Sequence, residues 1–178
     1  MVSYRLAATA DFVEIAKLHT RSWQENYRGS YSDYFLDHEV YQDRTAVWEK
    51  RLTSPAANQF TIVAEKDGKL IGFVCAFLDA DPQYGTLIDN LHVSKEAKGK
   101  GIGKELIRKV ASKSAENNPL SKVYLWVLEA NVNAFEFYVH FGAAHVETAR
   151  ADDIGDTAVS VCRMVWETPE NLIASQKS

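Results

Sequence analysis

The hexapeptide Lys98-Gly99-Lys100-Gly101-Ile102-Gly103 decides how the rest of the chain is read. It stands between an apolar run, 86–93, and a stretch carrying Leu106, Ile107 and Val110 at helical spacing. Glycines at a strand-to-helix turn let the backbone approach a ligand closely and let amide N–H groups converge. The helix that begins near Gly103 adds the positive end of its dipole. Together these features form a cradle for a diphosphate, with Lys98, Lys100 and Lys104 as mobile positive charge around it. The same residues also suit a plain turn with solvated lysines. The run is not a nucleotide P-loop, because no Gly-Lys-Ser/Thr closes it. It is not the dinucleotide fingerprint either: the glycines fall at Gly99, Gly101 and Gly103, not at Gly-x-Gly-x-x-Gly spacing, and no repeated strand-helix-strand units surround them.

Upstream, residues 3–6 read as a short strand. Thr9 offers an N-cap to a first helix in which Phe12, Ile15, Ala16 and Leu18 recur at helical spacing up to about Tyr27. A loop over 28–34, with Ser32 as candidate cap, leads to a second helix through Val47 and Trp48 that ends before Pro55. Strands 60–65 and 70–78 flank the two-residue turn Asp67-Gly68, and Asp81-Pro82 separates them from strand 86–93.

Downstream, Asn117-Asn118-Pro119 ends the helix that follows the glycines. Residues 123–128 are an apolar strand of the kind found mid-sheet. A helix over 133–141 stops at Gly142, and strands 144–149 and 158–166 enclose a polar loop, 152–156. Hairpin links make the middle strands antiparallel, and the crossover through Gly103 implies one parallel pair. The expected architecture is α/β of the α+β type: a mixed, mostly antiparallel twisted sheet of about seven strands flanked by about four helices. No repeat or linker divides the chain, so 1–168 read as one domain and 169–178 as a polar tail that frays.

At 178 residues, 46% hydrophobic and 25% charged, the chain is long enough to bury a core without disulfides or metals. A net charge of -4 lacks the basic excess that phosphate binding demands, so no nucleic-acid partner is expected. Cys75 and Cys162 lie in apolar runs and read as small buried hydrophobes. His19, His38, His140 and His145 have no metal-site spacing, and no metal is expected. The first residues lack a signal-peptide pattern and no apolar run is long enough to span a bilayer, which makes cytoplasmic residence the default and a membrane partner unexpected.

Leu91-His92-Val93 followed by Lys98-x-x-Gly101-x-Gly103 resembles the acetyl-CoA motif of the GNAT acetyltransferases, Arg/Gln-x-x-Gly-x-Gly/Ala after a strand, with Lys98 replacing the usual Arg or Gln. A second motif of that family, Asn-x-x-Ala-x-x-Phe-Tyr-x-x-x-Gly, is matched by Asn131, Ala134, Phe137, Tyr138 and Gly142. Ser22-Trp23-x-x-x-Tyr27-x-Gly29, then Asp33 to Asp37, is similar to a common bacterial subgroup of unassigned substrate, with Ser32 where proline is frequent.

The resemblance implies acetyl-CoA as cofactor. Its diphosphate would lie on the amides of Lys98, Gly99, Lys100, Gly101, Ile102, Gly103 and Lys104, and its pantetheine arm along Leu91, His92 and Val93. It also implies an N-acetyltransferase acting on a small-molecule or peptide amine by direct attack. Such chemistry needs a neutral amine, a donor to the developing oxyanion and a proton for the departing thiolate. The resemblance puts Tyr138 near the sulfur as general acid; a core aromatic is the plainer reading of the same residue. Asp89 is the first candidate base, by alternation on the face of Leu87, Leu91 and Val93. His92 on the other face is weaker unless a bulge breaks the parity, Glu129 is a further choice, and water is an alternative.

Asn131 either contacts the cofactor or caps the following helix, and Ala134 belongs to the same motif. Trp23, Tyr27, Tyr31 and Tyr34 either line the acceptor pocket or pack in the core. A non-catalytic acyl-CoA-binding domain keeps the same fold, as does a plain interaction domain. A homodimer is common in the family and stays open.

Overall fold

The computed structural model describes residues 1–152 and 155–174. Residues 153 and 154, in the expected 152–156 loop, and 175–178 of the expected tail lie outside the described residues. Seven strands form one sheet: β1 (Val2–Leu6), β2 (Gln59–Lys66), β3 (Lys69–Asp81), β4 (Gly85–Val93), β5 (Val123–Leu128), β6 (Ala144–Ala151) and β7 (Val159–Trp166). Their order across the sheet is β1-β2-β3-β4-β5-β7-β6. All neighbours are antiparallel except β4 and β5. The β2–β3 hairpin turns on Asp67 and Gly68, both at positive φ (52° and 73°), as a two-residue turn of matching twist requires.

Helices α1 (Phe12–Asn26) and α2 (Val40–Thr53) cover one face of the sheet. Helices α3 (Ile102–Asn117), α4 (Val132–His140) and α5 (Pro169–Ala174) belong with the other. On the α3 face, Leu106, Ile107, Val110 and Ala111 are fully buried against Val74, Ile88, Val123 and Leu125. Each large aliphatic buried this way contributes about 1.5–3 kcal/mol. Gly72 in β3 makes the close approach possible: a Cβ there would lie 3.2 Å from the His92 carbonyl oxygen and 3.3 Å from Ile102 Cγ2. Both cysteines are free and buried.

Three local expectations change. Thr9 does not cap α1; its hydroxyl donates to the Leu52 carbonyl (3.2 Å), and the Asp11 carboxylate accepts the Ala8 N–H (2.7 Å) instead. Ser32 does accept the Phe35 N–H (3.1 Å), but the first turn after it, Phe35–Glu39, is π-helical before α2 begins. The stretch after Thr168 does not simply fray: Pro169 opens α5, a position where its missing N–H is harmless, and Leu172 is buried in the α3-face core. Among the described residues no helix is long and apolar enough to cross a membrane.

Candidate active site

The parallel strands β4 and β5 stay paired only over Thr86↔Val123, Leu87↔Tyr124 and Ile88↔Leu125. Beyond that point β4 pairs only with β3, and β5 only with β7. A wedge therefore opens between residues 89–93 and residues 126–128, at the carboxyl ends of the two parallel strands, where open α/β sheets bind ligands.

A β-bulge sits where the wedge starts. Asn90 faces Cys75 and Ile88 faces Ala76, which leaves Asp89 as the extra residue. The bulge overturns the expected alternation of Asp89 with Leu91 and Val93. Those two side chains pack on the α3-face core, whereas His92 reaches α1, where Ser22 Oγ lies 2.7 Å from His92 Nδ1, and Asp89 reaches α2, with Arg51 Nη1 2.6 Å from Asp89 Oδ2. The Asn90 amide also donates to Oδ2, so Oδ1 carries no partner among the described residues.

The glycine-rich turn closes one end of the wedge. Gly99 and Gly101 have φ of 75° and 77°, with open space where a Cβ would be, so conformation and not crowding requires glycine there. Gly101 is the N-cap of α3 and offers no side-chain cap. The Lys98 N–H is bound to the Ser94 carbonyl (3.1 Å), and Glu105 N–H to the Gly101 carbonyl (3.0 Å). Between them, the amides of residues 99–104 meet no acceptor among the described residues. Unbonded amides at a helix N-terminus with the positive dipole end form an anion site. Lys98, Lys100 and Lys104 are exposed around it; Lys100 Nζ donates to the Glu96 carbonyl, and Lys104 sits 5.5 Å from the Phe141 ring centroid. A Cβ on Gly103 would be 3.7 Å from Phe137, so the turn is seated against α4.

From α4, Tyr138 is 8% exposed, edge-on to Trp166 with centroids 6.0 Å apart, and its hydroxyl has no hydrogen bond among the described residues. Burial, reinforced by the nearby Tyr27 phenol, raises its pKa above the usual tyrosine value, so the proton stays on at neutral pH. Asn131 Oδ1 accepts the Ala134 N–H (3.3 Å), which identifies a capping role for that side chain. Ala134 packs at the edge of the α3-face core, and Glu129 is exposed.

The aromatic residues expected around an acceptor separate into two groups. Trp23 and Tyr31 stack in parallel at 5.2 Å and are buried with Phe35, Leu36 and Leu128. Tyr27, half-buried, touches both rings. Tyr34 is 66% exposed beside His38, away from this cluster. Gly155 and Asp156 lie against the Tyr31 end of the cluster: a Cβ on Gly155 would lie 2.5 Å from Tyr31, and Asp156 accepts from Ser32 N–H (3.2 Å) and its hydroxyl.

Sequence reasoning missed a buried polar chain under α1. Trp48 Nε1 donates to His19 Nδ1 (2.9 Å), and the His19 ring lies 4.3 Å from the His92 ring. Burial, then the Arg44 and Lys98 charges, pull His92 down to about 3, and burial likewise drives His19 well below its usual value; both are neutral imidazoles. Such pairing is a property of the folded chain, and no local spacing announces it. Arg44, 8% exposed with its guanidinium 4.7 Å from the Trp23 ring, was also missed. Among the described residues no cluster of three or more His, Cys, Asp or Glu side chains could hold a metal.

Comparison with known proteins gives these surroundings a context. A family model described as acetyltransferase (GNAT) family matches residues 13–143. A spermine/spermidine N(1)-acetyltransferase of Bacillus subtilis (strain 168) is 30% identical over 81 residues, 43% of this chain and 53% of that protein; the chain thus matches about half the length of its curated relatives. Among solved structures, PaiA N-acetyltransferase from Thermoplasma acidophilum in complex with coenzyme A superposes with a TM-score of 0.75 at 18% identity, covering 93% of this chain and 99% of that one. A mutant of a spermidine N-acetyltransferase from Vibrio cholerae gives 0.68 at 21% identity, covering 98% of each. These structural likenesses concern the fold.

Proposed function

Because the chain belongs to the acetyltransferase (GNAT) family, we propose that it transfers an acetyl group from acetyl-CoA to a primary amine. The observation that carries this reading is the row of unbonded amides at residues 99–104, set at the mouth of the β4–β5 wedge. That row fits a diphosphate. The free edge of β4 beyond Ile88 offers backbone groups at Leu91 and Val93 to an extended amide-bearing arm, whereas those of His92 face β3. Acetyl-CoA, when bound, supplies an acyl group activated as a thioester.

The protein's own residues then hold and move protons. The C–N bond forms at the thioester carbonyl carbon and the C–S bond breaks. Tyr138, protonated because it is buried, gives its proton to the departing sulfur. The proton leaving the amine goes to Asp89, the first residue past the point where β4 and β5 part, through the unpartnered Oδ1. His92 is engaged with Ser22 and packed against His19, and its burial disfavours the protonated form. Trp23, Tyr27 and Tyr31 form the aromatic wall on the acceptor side, with Tyr27 the ring left partly open.

The test is release of free thiol from acetyl-CoA on addition of primary amines, with the acetylated amine identified by mass spectrometry. Saturable acetyl-CoA binding with no amine able to drive thiol release would reject the transferase and leave a binding domain.

A further inference from the structure

Arg44 borders the aromatic cluster assigned to the acceptor side, and its surroundings are unusual for a cation. Its side chain is only 10% exposed. The guanidinium carbon lies 4.7 Å from the Trp23 ring centroid, and Tyr31 stacks on the same indole in parallel. Its Nε donates to Asp43 Oδ2 (2.7 Å), and Nη2 pairs with the same oxygen. Nη1 has no acceptor among the described residues. Nη1 is not sealed in the interior and is left reachable for an incoming anion.

The Trp23 ring under Arg44 belongs to the cluster that includes Tyr27 and Leu128, the last residue of β5, which puts the guanidinium on the α1–α2 side of the wedge. Asp43, the carboxylate in contact with Arg44, is already paired with it, so a second cation placed there finds no open partner and gains nothing. An acceptor that brings its own negative charge completes the Arg44 fork, which suits a planar carboxylate.

We infer that the acceptor is a carboxylate-bearing amine, of the amino-acid type, whose carboxylate is bound by Arg44 Nη1 above the Trp23 ring. The inference rests on the acetyl-transfer reading and selects the substrate class within it. It sets this chain apart from relatives named for spermine and spermidine. Arg44 acts as a specificity-determining residue; the reacting atoms are handled by others.

The test compares thiol release from acetyl-CoA with the standard amino acids, their carboxamides, and spermine. Wild-type protein should use the best amino acid with a kcat/KM roughly tenfold or more above that of its own carboxamide, a ratio set by one charge-assisted contact. Spermine should trail both. In Arg44→Met the acid-to-amide ratio should fall to near one, chiefly through a higher KM for the acid, and Arg44→Lys should restore part of it. The wild-type comparison needs no variant, so a folding defect in Arg44→Met leaves it intact. Turnover that favours the carboxamide or spermine overturns this inference alone. Silence with every amine, while coenzyme A still binds, overturns the transferase reading and this inference with it.

Discussion

The two faces of the sheet are built differently. On the α3 face the buried side chains are nearly all hydrocarbon, and the hydroxyls of Thr86 and Ser114 satisfy each other at 2.8 Å. On the α1–α2 face His19, Trp48, His92, Ser22 and Arg44 lie among the aromatic rings. Hydrocarbon burial stabilises without direction, whereas buried polar groups must be matched one by one. The first face holds the wedge in shape; the second carries the directional groups on which the proposed acceptor recognition rests. Tyr138 is the exception that links them, rooted in the α3-face core while, after burial, the Tyr27 phenol of the other face helps raise its pKa.

The strongest way to break this division is Tyr138→Phe. It keeps the ring and removes the proton donor, so turnover should drop by about 10²–10⁴-fold while coenzyme A affinity holds. Wild-type turnover in that variant would make Tyr138 a core residue only. Leu106→Ala should behave in the opposite manner. It should lower unfolding free energy by about 2–5 kcal/mol, measured by urea denaturation, with acceptor preference unchanged.

His19→Leu sharpens the contrast, since it keeps a side chain of similar volume and removes the acceptor of the Trp48 N–H, which should lower stability by about 1–3 kcal/mol. A loss as large as that of Leu106→Ala would mean packing, not hydrogen bonding, governs this face too. The smallest effect is in pH. His92 takes up a proton near 6.5 when unfolded but resists until about 3 when folded. Its contribution is therefore whole above pH 6.5 and declines as pH falls toward 3, at about 1.4 kcal/mol per pH unit. Melting curves between pH 7 and 5 should show stability falling, with His19, shifted the same way by burial, adding to the effect, and His92→Asn should reduce the dependence.

Much of the α3 face was legible in the sequence, because its signals are local. The glycines of residues 99–103 mark a turn wherever they occur before a helix, the apolar run at Val123–Leu128 marks a central strand, and Asp67-Gly68 marks a hairpin. The α1–α2 face was less so. The bulge at Asp89 lies in Ile88-Asp89-Asn90, a stretch with no glycine or proline to announce it, and it alone decides which way Asp89 and His92 point. Trp48 and His19 are 29 residues apart, His92 and Ser22 are 70, and their pairing appears only when α1 and α2 dock on the sheet. Arg44 reads in sequence as one more charge on a helix; its burial over Trp23 is a tertiary fact. The helix after Thr168 was hidden by the polar composition of the last residues, although Leu172 supplies the anchor.

Everything in the functional reading depends on the free amides of residues 99–104 receiving a diphosphate. Titration calorimetry with coenzyme A and, separately, with pantetheine, which lacks the diphosphate, measures this directly. The account predicts saturable one-site heat with coenzyme A and binding weaker by at least about tenfold with pantetheine. Equal affinity for the two, or no heat with coenzyme A on folded protein, would contradict it.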